Sequence, residues 1–252
     1  MPNSYISLCD DFYLDMYINT ELDLPTQPDT VLAFFERVQK QFPTMGSFFR
    51  RGSNEYCLEE DRSTGQYRWV VLEIDRIGSG VVNPPNLEYA YKQDGLILDI
   101  VPYMLGVSHL DIDSLDVTFA MDFDYAGNHD EVIAEALIVS SAFSSFMDLP
   151  QARPIDFSPV MVISLSDDRR TQARISVESK TSVYDPRKQN YSSDEAISLS
   201  FTIRQYPQTT GKFDPLKSFE NQYRLAQELM TEKIVPNFVQ PLVDVIVQRR
   251  LT

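Results

Sequence analysis

Residues 14–24, LDMYINTELDL, and residues 115–125, LDVTFAMDFDY, decide how this chain is read. In the first, Leu14, Met16, Ile18, Leu22 and Leu24 alternate with polar or amphipathic neighbours; in the second, Leu115, Val117, Phe119, Met121, Phe123 and Tyr125 do the same. A two-residue period puts alternate side chains on one face of an extended chain, so each stretch predicts a half-buried strand. Laying Leu14 on Leu115, an offset of 101 residues, also lays Asp15 on Asp116, Asp23 on Asp124, Asp29 on Asp130 and Phe42 on Phe143.

The correspondence continues outward. Each strand runs into breakers, Pro25 to Pro28 or Gly127 and Asn128, and then into a helix entered through Asp29 or Asp130, where a carboxylate suits the free amides of the first turn. Val31, Phe35, Val38 and Phe42 are spaced for one helical face, and so are Val132, Ala136, Val139 and Phe143. A hairpin follows in each half: DRSTGQYR at 61–68 matches DRRTQAR at 168–174 when Gly65 is removed, flanked by Trp69 to Leu72 and by Met161 to Ile163. Closing helices are signalled by LEYAY at 87–91 and FENQY at 219–223, with Ile-Val-Pro at 100–102 recurring at 234–236. Pro102 and Pro236 are expected to end or kink these helices.

The order predicts an α+β fold of two internally duplicated βαββα halves, residues 1–110 and 111–252, in one compact two-lobed unit. A pseudo-twofold axis would relate them, with a mainly antiparallel sheet and helices on one face. Some segments lack a repeat partner: TSVYDPRKQNYSSDE at 181–195, read as a mobile polar loop; the alternating strand Ile197, Leu199, Phe201, Ile203; and a last apolar helix around Leu242 to Val247. That helix must cap its own core or cross to another subunit.

Apolar residues make up 43% of the 252, enough to fill a substantial core, so disorder is not expected. The opening MPNSYISLCDDFYLDM lacks a basic start and an apolar run, and no window approaches eighteen apolar residues. Neither a signal peptide nor a membrane span is therefore expected, and the default location is the cytoplasm. Against 37 acidic side chains stand 22 basic ones, a formal charge of −15 that repels phosphate backbones and makes direct nucleic-acid binding a poor expectation. Cys9 and Cys57 are too few for a disulfide framework and are read as reduced thiols.

Catalytic signals are absent. His109 and His129 have no metal-ligand spacing, and no metal or cofactor is expected. Gly78, Ser79 and Gly80 lack the lysine and helix start of a phosphate loop and are read as a surface bend. What remains is a carboxylate ladder, Asp15, Glu21 and Asp23 with Asp116, Asp122 and Asp124, on the non-core face of the two strands. Such a face keeps a sheet soluble; six carboxylates together would also recruit a divalent or cationic partner. Arg62, Arg68, Arg169 and Arg174 recur in the two hairpins and are read as ion-pair or anion-binding groups. Tyr91, Tyr103 and His109 join the halves and are placed at the seam. The reading is a non-catalytic binding protein acting through a protein partner or homo-oligomeric assembly, in one version an acidic inhibitor or immunity-type protein. The competing reading is an enzyme or a small-ligand or divalent-cation-binding protein with its site at the seam.

Overall fold

The computed structural model describes residues 3–52, 54–138, 141–179, 196–208 and 211–251. The predicted loop at 181–195 therefore lies outside the described residues. In chain order the elements are β1 (Asp11–Thr20), α1 (Pro28–Gln41), β2 (Ser47–Arg51), β3 (Glu55–Glu59), β4 (Tyr67–Leu72), β5 (Arg76–Val82), α2 (Leu87–Met104) and β6 (Ile112–Asp124). They continue with α3 (His129–Leu137), the single turn α4 (Ser144–Met147), β7 (Val160–Ser164), β8 (Thr171–Ser179), β9 (Ala196–Gln205) and α5 (Pro215–Leu229). A π-helical stretch, Met230–Val239, leads into α6 (Gln240–Leu251).

The strands form one antiparallel sheet in the order β2-β3-β4-β5-β1-β6-β9-β8-β7, so the fold is mixed α+β around a large antiparallel sheet. The two alternating stretches lie side by side at its centre, where Leu14 opposes Phe119 and Met16 opposes Val117. On one side follow β5, β4 and β3; on the other, β9, β8 and β7. The strand at Ile197 to Ile203 thus flanks β6 as β5 flanks β1.

Burial follows the alternation. Phe12, Leu14, Met16 and Ile18 of β1, Leu115 to Phe123 at odd positions of β6, and Ile197 to Ile203 of β9 point into one core, which the helices cover. Phe12, Phe34, Phe119 and Phe219 are fully buried, each contributing roughly 1.5–3 kcal/mol of transfer free energy. Helix starts are capped as their residues suggest: the Asn86, Asn128 and Asp214 side chains accept from backbone amides of α2, α3 and α5. Two buried glutamines fasten helices to the sheet. Gln93 Nε2 donates to the carbonyls of Trp69 and Gly80, and Gln222 Nε2 to those of Leu115 and Ile203.

Several expectations are corrected. The order is not βαββα: between the helix after the first strand and the closing helix stand four strands, β2 to β5, in the first half and three described strands, β7 to β9, in the second. β1 begins at Asp11 and ends at Thr20, so Glu21 and Asp23 fall in the following turn and Leu22 is exposed. Glu21 N–H leaves the ladder to bond Asp111 O at 2.9 Å. α3 stops at Leu137, and Phe143, laid on the half-buried Phe42, is exposed; Val139 lies outside the described residues. Gly78 to Gly80 is no bend but the middle of β5. Pro236 does not end its helix: the wider π turns take up a residue that lacks an N–H and crowds the preceding turn. The last helix packs on the core of its own chain, with Leu242 and Ile246 buried and Arg249 bonded to Glu131 and Glu135 of α3.

Candidate functional site

With the helices on one side, no described helix covers the other face of the sheet, whose side chains are those at the alternate positions of each strand. β1 contributes Asp11, Tyr13, Asp15, Tyr17 and Asn19; β6 contributes Asp116, Thr118, Asp122 and Asp124. β4 adds Tyr67 and Trp69, β5 adds Arg76, and β9 adds Ser198, Thr202 and Arg204.

Gly78 and Gly80 shape this face. A Cβ at Gly78 would lie 2.7 Å from Tyr17 Cε1 and from Val71 Cγ1; one at Gly80 would meet Trp69 Cε2 at 2.5 Å and Asp15 Oδ1 closer still. The two glycines therefore let the Trp69 and Tyr17 rings close over β5 from either side, centroids 5.9 Å apart and planes tilted by 45°. Around these rings opens a cleft of about 490 Å³, lined also by Tyr67, Cys57 and three arginine–glutamate pairs. Arg62 forms a bidentate pair with Glu59 (3.0 and 2.6 Å), Arg76 contacts both Glu73 oxygens at 2.8 Å, and Arg51 reaches Glu55 at 3.0 Å. Arg62 also sits over the Tyr67 ring and Arg76 over Tyr17. Burial and neighbouring carboxylates push the Cys57 thiol up to about 11, so it is a thiol and not a thiolate nucleophile at neutral pH.

Where β1 meets β6, three carboxylates have different environments. Asp116 accepts from Arg204 Nε (2.7 Å) and Nη2 (2.6 Å) and from Asn19. Asp122 accepts from Tyr13 Oη (3.0 Å) and Ser198 Oγ (2.7 Å). Asp15 Oδ1 is buried with no hydrogen-bond partner, and burial, then the Asp122 charge, raises its carboxyl to about 7. At the end of the ladder Asp10 Oδ2 accepts from Asp124 N–H, and burial and the carboxylates of Asp10 and Asp11 raise Asp124 above the usual carboxyl range.

The predicted ladder is thus partly assembled. Asp15, Asp116, Asp122 and Asp124 share the open face; Glu21 and Asp23 do not reach it. Among the described residues no group of three or more histidine, cysteine or carboxylate side chains is arranged to hold a metal ion. The four arginines are dispersed. Arg62 borders the cleft, whereas Arg68 is buried on the helix side, paired with Glu60 at 3.3 Å and packed on Phe42 and Tyr89. Arg174 lies on the open face beside Glu178 and Ser176, so the two arginines equated by the hairpin match sit on opposite faces. Arg169 is exposed at a left-handed turn position, φ +60°. Asp61 and Asp168 do act alike, each accepting from the amide two residues on.

Of the predicted seam, Tyr91 joins α2 to α5 by a tilted ring contact with Phe219, an edge-on contact with Tyr223 and a hydrogen bond donated to Glu220. Tyr103 is exposed near the other end of α2, and His109 lies in the turn before β6, so the three form no common site. The sequence reading missed Tyr17, Tyr67, Trp69, Arg76 and Arg204. Their signal was present in aromatics at alternate positions opposite Gly78 and Gly80.

No helix among the described residues is long and apolar enough to cross a membrane. No protein-family model matches the chain, and no curated protein matches its sequence significantly.

Proposed function

We propose that this chain is a non-catalytic binding protein whose sheet face opposite the described helices docks a protein partner. The observation that carries the reading is the cleft floor of Tyr17, Tyr67 and Trp69 ringed by Arg51, Arg62 and Arg76. Large, rigid aromatic rings and arginines dominate binding energy at protein interfaces, because they bury much area for little conformational entropy. Each arginine is already charge-balanced by a glutamate, which favours an uncharged or mixed contact there over a free anion. The acidic end formed by Asp10, Asp11, Asp122 and Asp124, with the overall charge of −15, favours a partner whose surface is basic. An inhibitor or immunity-type protein that covers a basic surface is the concrete version.

We also read the two sides of the sheet as copies of one segment. The 101-residue offset equates Met16 with Val117, and these residues oppose each other near the middle of the β1–β6 ladder, where an axis relating the copies would pass.

The test is capture of partners at low salt by the wild-type chain beside Trp69→Ala and Arg76→Ala. A stoichiometric partner held by the wild type, weakened at least tenfold by either substitution and released by salt, is the expected result. Equal retention by all three proteins would overturn the assignment of the face.

A further inference from the structure

We propose that two copies of this chain pair antiparallel through the outer edge of β7, which no described strand pairs, about a twofold axis at Val162. Among the described strands β7 ends the sheet at the side away from the cleft, so this edge is separate from the cleft proposed to hold a partner.

The first ground is the distribution of exposed apolar residues. Of the eighteen large apolar side chains exposed among the described residues, nine fall between residues 143 and 163. Four are consecutive in β7: Val160, Met161, Val162 and Ile163, exposed by 44 to 55%. Both faces of the strand are therefore apolar, and no charged residue interrupts it. Proteins that keep an edge strand unpaired in water ordinarily place a lysine, a proline or a bulge there. The opposite edge, β2, carries Arg50 and Arg51, which would face other guanidinium groups if that strand met its own copy.

The second ground is backbone register. Pro159 O accepts from Val177 N–H, and Leu165 N–H donates to Thr171 O, so odd-numbered positions of β7 bond inward to β8. The N–H and C=O groups of Val160, Val162 and Ser164 consequently point outward. An antiparallel copy centred on Val162 sets Val162 opposite itself and Val160 opposite Ser164, so every outward group gains a partner. On the core side it sets Met161 opposite Ile163. Any apolar strand of five residues would match this edge in polarity. A second copy is favoured because the segment is its own complement in this register and because closed twofold pairing is the commonest symmetry of soluble assemblies. Each copy carries a charge of −15, so the pair should tighten as salt screens the repulsion.

Light scattering on the purified full chain tests this. The expected mass at tens of micromolar is twice 28.9 kDa, with a dissociation constant that falls as salt rises. Val162→Pro removes one outward N–H that bonds no described residue, so it should give a monomer with unchanged melting temperature. Should that variant unfold, Val162→Lys provides the same reading through charge. Position is checked by oxidation: Val162→Cys should form a disulfide-linked dimer, because directly opposed residues in such a pair stand about 5.5 Å apart, within disulfide reach. Val160→Cys, opposite Ser164, should crosslink no more than the wild type. A wild-type monomer at these concentrations would overturn the proposal, as would a dimer that survives Val162→Lys or crosslinks equally through both cysteines. None of these results bears on Trp69 and the cleft, so the two readings fail separately.

Discussion

Asp15→Asn removes a carboxylate of the open face whose buried oxygen has no donor among the described residues, while keeping the side chain's shape. Burial beside Trp69 and Gly80, and the Asp122 charge on the next strand, raise the Asp15 carboxyl from 3.8 to about 7. The folded protein therefore holds a proton that the unfolded chain has released at every pH between those two values. Stability must fall as pH rises through that window and level off above it, since the folded state binds more protons there than the unfolded state. At 1.36 kcal/mol per pKa unit, the loss is on the order of 4 kcal/mol by pH 8. Asparagine carries no such charge, so the variant should match the wild type near pH 4 and exceed it by up to that amount at pH 8. Asp94, buried under β5 and bonded to Ser79 Oγ at 2.7 Å, is also held well above the ordinary carboxyl range. It imposes a slope of the same sign on both proteins and largely cancels in the difference. Urea unfolding at pH 4, 5, 6, 7 and 8 supplies the curves. A wild-type minus variant difference that does not change with pH would refute the reasoning.

Two further substitutions probe the same face. Gly80→Ala drives a methyl group into the Trp69 ring and Asp15, so it should cost roughly 1–3 kcal/mol by overpacking and shift the emission of Trp69, the only tryptophan in the chain; thermal melts and a fluorescence spectrum check it. Arg204→Met strips the buried Asp116 of its two shortest hydrogen bonds while the arginine itself is partly solvated, and should cost about 1–3 kcal/mol in urea unfolding at pH 7.

The central strands were legible because their two-residue period survives over ten residues or more, and burial in β1 and β9 follows it residue by residue. α1 was legible for the same kind of reason, with Val31, Phe35 and Val38 buried on one face. Features set by neighbours distant in sequence were not. Gly78 and Gly80 look like a bend until Tyr17 and Trp69, from two other strands, are seen to occupy the space above them. Pro236 reads as a helix terminator locally, yet packing of Ile234, Val239 and Leu242 into the core keeps the helix going through π turns. The ladder of six carboxylates lost Glu21 and Asp23 because alternation alone does not mark where hydrogen bonding to a neighbour stops. Arg68 and Arg174 matched as letters, but their strands enter the sheet in different register, which turns one inward and the other out.

Trp69 makes the central claim directly measurable, since the sole indole of the chain is half-buried in the floor of the cleft. Its acrylamide quenching should be followed while a captured partner is titrated against the chain at low salt. Docking on the open face predicts a saturable blue shift and a several-fold drop in quenching, both absent in Arg76→Ala at the same concentrations. A tight complex that leaves the emission and the quenching of Trp69 unchanged would contradict the account.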